Sequence, residues 1–129
     1  MPKSYADQMI SHAQEEAPNE CCGLLAGKDD SIVKLYRTTN VEHSPFRYNV
    51  DPKELLAIWR EVDQNDWEFL GIYHSHTASP AYPSPTDVRL AAWPDALYFI
   101  VSLADPDKPL LRGFHIRDGN VTEEDLEVR

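Results

Sequence analysis

The chain has 129 residues, 42% of them apolar and 26% charged, which is enough for one soluble domain (1–129) with a core of its own. A net charge of −10 without a Lys/Arg cluster argues against a nucleic-acid partner and against an anionic membrane surface. No apolar run approaches membrane-spanning length, and the polar, amphipathic opening MPKSYADQMISHAQEEA is not a signal peptide, so the expected compartment is the cytoplasm.

Ser4 to Ala17 reads as a helix, with Ser4 as its cap, Asp7 three residues on, and Tyr5, Met9, Ala13 and Ala17 at helical spacing. His12 reads as a flank or surface histidine, and Pro18 ends the helix. Glu20 to Ala26 is a short strand of small apolar residues. Cys21 and Cys22 are adjacent and poorly placed to bridge each other, so they read as buried thiols rather than a disulfide. A Cys–His nucleophile beside Glu20 is the weaker reading. Gly27-Lys28-Asp29-Asp30 turns the chain into a hairpin partner over Ile32 to Tyr36, a loop follows from Thr38 to Pro45, and Arg47 to Val50 reads as a further strand.

Asp51-Pro52-Lys53-Glu54 has the form of a capping box and opens a helix to about Gln64. Its apolar face is Leu55, Leu56, Ile58, Trp59 and Val62, and Asn65-Asp66 ends it. After the stretch treated next, a short helix spans Pro85 to Ala92. Leu97 to Leu103 is a continuous apolar run of central-strand type, and Leu110 to Ile116 alternates as a strand up to an Asp118-Gly119 hairpin turn. His115 reads as structural. Strands mixed with two or three helices predict an α/β (α+β) domain, a mixed sheet flanked by helices.

The chemistry concentrates in Gly71 to Asp87, GIYHSHTASPAYPSPTD. Phe69 to Tyr73 reads as a buried strand that ends on His74 and His76. Residues two apart on a strand share a face, so both imidazoles reach one point. Asp87 follows a loop carrying Pro80, Pro83 and Pro85. Two neutral imidazoles and a carboxylate are the ligand set of a catalytic zinc with one position open. Ser84, three residues before Asp87, is a candidate oxyanion donor, and Ser84-Pro85-Thr86-Asp87 is equally a capping box that opens the short helix. A zinc deaminase would need His-x-Glu and Pro-Cys-x-x-Cys, and a gluzincin His-Glu-x-x-His; none of these occurs.

The spacing His-x-His-x7-Ser-x2-Asp resembles the motif of the JAMM (MPN+) metalloproteases, which pair it with a glutamate far upstream, after the first helix. Glu20, in NECCGLLAG, stands where that glutamate would. With IYHSHTASPAYPSPTDVRLAAWPDALYFIVS and IRDGNVTEEDLEV, the chain is most similar to a bacterial branch of small peptidases that act on ubiquitin-like sulfur-carrier proteins. The resemblance covers most of the chain. It implies a curved mixed sheet with helices on its faces (a cytidine-deaminase-like fold), one Zn2+ per chain on His74, His76 and Asp87, Glu20 as general base and Ser84 as oxyanion donor. The implied partner is a ubiquitin-like sulfur carrier with a Gly-Gly tail, and the implied reaction is release of cysteine from its C-terminus within cysteine synthesis or sulfur transfer. Precursor trimming, removal of carriers from lysines, and a non-catalytic MPN scaffold are the alternatives, with a homodimer left open. Thr39, Asn40 and His43 fall near the site in such a fold, and His43 and Arg47 are further binding candidates beside the groove that would hold the tail.

Overall fold

In the computed structural model, which describes residues 1–129, six strands form one mixed sheet in the order β2-β1-β3-β4-β5-β6. The strands are β1 (Cys22–Lys28), β2 (Ser31–Thr38), β3 (Glu68–His76), β4 (Leu97–Ser102), β5 (Leu110–Arg117) and β6 (Asn120–Glu124). Only the β3–β4 pair is parallel; every other neighbour is antiparallel. That parallel pair requires a crossover, and the metal-motif loop with its short helix supplies it. Both tight hairpins turn through residues with positive φ. Asp29 and Asp30 (52° and 64°) join β1 to β2, and Asp118 and Gly119 (51° and 80°) join β5 to β6.

The helices are α1 (Lys3–Glu16), α2 (Pro52–Gln64) and α3 (Pro85–Leu90). Met9 and Ala13 of α1 pack with Cys21, Leu25, Tyr73, Phe99 and Val101 on one face of the sheet. Ile58 and Val62 of α2 pack with Cys22, Leu24, Ile72 and Tyr98 on the other. The period-2 alternation of β3 puts Tyr73 on the α1 side and Ile72, His74 and His76 on the α2 side. No helix is long and apolar enough to cross a membrane.

Several expectations need correction. The cap of α1 is Pro2, without a side-chain hydrogen bond, and Ser4 lies inside the first turn; Asp7 pairs with Lys3 at 3.0 Å instead. His12 is buried, because it follows Met9 by three residues and so shares its face; its Nδ1 lies 2.7 Å from the Tyr73 hydroxyl. Burial pushes the His12 pKa down. In α2, Asp51 accepts from the Lys53 N–H as a cap should, but Glu54 does not close the box: its carboxylate accepts from the Thr39 N–H and hydroxyl. Leu56 is 52% exposed and does not belong to the packed face. Arg47 to Val50 is not a strand. Only an Asn40–Val50 bridge forms, since the Asn40 side chain takes up backbone groups on this segment that a ladder would pair. His115, read as structural, needs no such correction and faces Glu124 at 3.3 Å across the β5–β6 hairpin.

Candidate metal centre and its surroundings

The last residues of β3 are fully enclosed. His74 and His76 are 1% and 4% exposed. Cross-strand pairing of His74 with Cys22 and with Ile100 fixes the height of the strand end, and the Leu103 N–H donates to the His76 carbonyl. Asp87 arrives from α3, whose start is held by a reciprocal capping box. The Ser84 hydroxyl accepts from the Asp87 N–H (3.0 Å), and the Ser84 N–H donates to Asp87 Oδ2 (2.9 Å). Pro85 presets the first helical residue. The helix start thus serves as a rigid mount for a carboxylate, and it aims Oδ2 at both imidazoles.

Three atoms meet there. His74 Nε2 is 3.1 Å from Asp87 Oδ2, His76 Nε2 is 3.0 Å from it, and the two Nε2 atoms are 3.2 Å apart. His76 Nδ1 lies 2.8 Å from the Pro80 carbonyl, which can only accept, so Nδ1 carries a proton and the neutral ring presents a lone pair on Nε2. A carboxylate oxygen and imidazole lone pairs facing one another at such distances would repel unless a cation or shared protons lay between them. Ligands on one tetrahedral zinc stand about 3.3 Å apart, close to these separations. The group His74, His76 and Asp87 therefore fits a zinc site.

The electrostatics keep Asp87 ionised and His74 neutral, the forms that bind a metal, whereas without a metal His76 is drawn toward its protonated form. Burial alone would raise the Asp87 pKa, but the two imidazoles and the Ser84 N–H hold it well below the usual carboxylate range. Burial pushes His74 down. His76 is also opposed by burial, yet Asp87 and the Pro80 carbonyl carry it upward.

Glu20 sits just before β1, 4% exposed, with Oε1 buried and unpartnered within the chain. Burial is the main cause that pushes its pKa up to about 8, with His76 pulling it down and Asp87 pushing it further up. The fold therefore brings Glu20 within electrostatic reach of the triad across the 53 residues that separate it from His74. The backbone of Glu20 is tied down: its N–H donates to the Ser44 carbonyl (2.8 Å), and its carbonyl accepts from Asn40 Nδ2 (3.0 Å). The Ser84 hydroxyl accepts from the Asp87 N–H and makes no donor bond within the chain.

Beside the triad opens a cavity of 370 Å³, lined among others by Asp87, Tyr48, Arg47, Leu90, Trp93 and Tyr98. Arg47 thus borders the site, whereas His43 is exposed with a positive φ of 45° and is not among the cavity-lining residues. Cys21 and Cys22 are free and buried, and burial pushes their thiols up to about 12 and about 11, which removes them as nucleophiles.

Two side chains support the site: Asn40, which the resemblance placed near it, and Tyr48, which sequence reasoning did not single out. Asn40, 8% exposed, satisfies all its polar valences on backbone: Nδ2 donates to the Glu20 and Arg47 carbonyls, and Oδ1 accepts from the Glu42 and Asn49 N–H groups, each at 3.0 Å. Tyr48 stacks on His74, with ring centroids 4.4 Å apart and planes at 22°. Neither lies on an element with a hydrophobic period. For Asn40 the signal was the family resemblance; for Tyr48 the sequence carried none.

The family described as prokaryotic homologs of the JAB domain (Prok-JAB) matches residues 2–113. A CysO-cysteine peptidase of Mycobacterium tuberculosis is 47% identical over 122 residues, covering 93% of this chain and 84% of its own. A desampylase of Haloferax volcanii is 37% identical over 74% of each chain, and a probable TtuB-protein conjugate cleaving protease of Thermus thermophilus is 35% identical over 72% of this chain and 63% of its own. Among solved structures, a Desulfitobacterium hafniense protein superposes with a TM-score of 0.87 at 38% identity, covering 100% of this chain and 93% of that one. A JAB1/MPN domain protein of Archaeoglobus fulgidus shares the fold alone, with a TM-score of 0.64 at 20% identity over 98% of this chain and 95% of its own. With a triad that fits zinc, a family match over most of its length and peptidase relatives spanning most of both chains, the chain belongs to the prokaryotic branch of the JAB (JAMM/MPN) domain family and is a hydrolase of that kind.

Proposed function

We propose that the chain is a zinc peptidase that cuts the amide bond after the terminal glycine of a ubiquitin-like sulfur carrier and frees a cysteine. The observation that carries this reading is the convergence of His74 Nε2, His76 Nε2 and Asp87 Oδ2, with the His76 tautomer set by Pro80. The choice of substrate is supported by the CysO-cysteine peptidase relative, 47% identical over 93% of this chain. One zinc per chain, held by His74, His76 and Asp87, would supply Lewis acidity, polarising the scissile carbonyl and acidifying a water beside it.

The chain's own residues do the rest. Glu20 takes up the proton that leaves the attacking water and passes it to the leaving amine; its burial raises its proton affinity above that of an ordinary carboxylate, and beside a zinc ion that affinity would be drawn back down. The Ser84 hydroxyl, anchored from behind by the Asp87 N–H, donates to the carbonyl oxygen as it becomes negative, a role worth about 3 kcal/mol for one well-placed donor. The 370 Å³ cavity has room for a few residues of extended chain, and a Gly-Gly tail is the narrowest peptide that could lie along it. A cytoplasmic reaction and a single 1–129 unit belong to the same reading.

Removal of carriers from lysine side chains is the second reading, favoured by the desampylase and conjugate-cleaving relatives at 37% and 35% identity. Intact mass spectrometry of a sulfur carrier ending Gly-Gly-Cys separates the two. Loss of one cysteine residue, abolished by a zinc chelator and by Glu20→Gln, is the expected result. An unchanged carrier beside a cleaved lysine conjugate would sink the cysteine-release reading and keep the peptidase.

A further inference from the structure

The two imidazoles of the triad are steadied by different means. In His76, the 2.8 Å contact of Nδ1 with the Pro80 carbonyl fixes both tautomer and ring rotation. His74 has no counterpart, for its Nδ1 is buried and meets no polar partner within the chain. A metal-ligating histidine ordinarily donates its second ring nitrogen to a carbonyl or carboxylate, and that bond orients the ring. Here the face of His74 is instead covered by Tyr48, with centroids 4.4 Å apart and planes at 22°.

Tyr48 stands on a fixed mount. The Arg47 carbonyl and the Asn49 N–H, on either side of it, are both bonded to the buried Asn40 side chain, and Val50 bridges Asn40. That same side chain holds the Glu20 carbonyl. An aromatic ring so anchored restricts rotation of the imidazole by contact alone, because interiors are too close-packed for one ring to swing without moving the other.

We propose that Tyr48 is the positioning residue of His74, its stacked ring supplying the orientation that the Pro80 carbonyl gives His76. The inference rests on the reading of His74, His76 and Asp87 as zinc ligands and adds a residue to it. It is a claim about the ring and not the hydroxyl. Tyr48→Phe therefore preserves the device, while Tyr48→Leu and Tyr48→Met remove it and keep an apolar side chain in place.

The test measures zinc affinity of the full chain by competition with a chromophoric chelator, together with the visible d–d spectrum of the cobalt-substituted protein. Tyr48→Phe is expected to bind within about twofold of wild type with an unchanged cobalt spectrum. Tyr48→Leu and Tyr48→Met are expected to bind about 10- to 100-fold more weakly, the range seen when an outer support of a ligand is lost, with altered cobalt bands. Melting of the chelator-treated variants separates positioning from bulk stability, since a merely structural role would lower the melting temperature and leave the affinity of the folded protein alone. Should Tyr48→Leu fail to fold, the unbranched methionine variant decides. Wild-type affinity in both non-aromatic variants would overturn the proposal, as would a phenylalanine variant as weak as leucine. No zinc uptake by wild type would instead remove the ligand assignment on which the proposal stands.

Discussion

Replacing Glu20 by glutamine separates catalytic demand from folding demand at one position. The carboxyl is 4% exposed, and Oε1 is the oxygen sealed off without a partner. Burial chiefly, with Asp87 adding to it and His76 opposing it, moves its pKa from 4.5 up to about 8. A group whose folded pKa lies above its unfolded one contributes stability at low pH and loses it as pH rises through the folded value. Each unit of displacement is worth about 1.4 kcal/mol, so the ionised Glu20 costs the metal-free fold up to about 5 kcal/mol at the alkaline end. Glutamine is nearly isosteric and does not titrate. Urea denaturation of chelator-treated wild type and Glu20→Gln across pH 4 to 9 should therefore give matching stabilities at pH 4, with the variant pulling ahead between about pH 5 and 8. In the zinc-loaded protein the gap should narrow, because a neighbouring cation favours the carboxylate. Turnover of the same variant should fall by about 10²- to 10⁴-fold, the usual contribution of a positioned acid–base group. A stability difference independent of pH would refute the burial argument, and a variant with wild-type turnover would refute the role of proton carrier.

Three further outcomes are expected. Ser84→Ala should lower kcat by about 10²- to 10³-fold through the lost oxyanion donor, and it should also cost about 1 kcal/mol of stability through the lost α3 cap, read by steady-state kinetics and by melting. Gly23→Ala should destabilise by about 1–3 kcal/mol in urea titrations, since its Cβ would lie 2.1 Å from the Tyr73 ring and would push that ring away from His12. Cys21→Ala and Cys22→Ala should keep kcat within about twofold in any variant that stays folded, because both thiols are buried and protonated at neutral pH; loss of turnover from either would reopen a thiol mechanism.

Local chemistry made much of this protein legible before any fold was known. The His74 and His76 pair lies on one strand face by the period of two, and Ser84 and Asp87 form a capping box by the period of a helical turn. The Asp29–Asp30 and Asp118–Gly119 turns, the core strand Leu97–Ser102 and helix α2 follow from patterns only a few residues long. These features could be read because their causes act between near neighbours. Misreadings came where a nearby alternative competed: Glu54, correctly placed for a capping box, bonds Thr39 of another segment, and Arg47 to Val50 surrenders its ladder to Asn40.

What tertiary structure alone decided is how segments distant in sequence meet. Burial of Glu20, and with it a raised proton affinity, depends on β1 pairing with β3 in the register that sets Cys22 opposite His74. The stacking of Tyr48 on His74 depends on a loop that has no period of its own and is folded around the amide of Asn40. Spacing along a chain specifies which side chains share a face. Solvent exclusion and the partner across the gap set their ionisation and orientation, and both exist only once the sheet and its loops have closed.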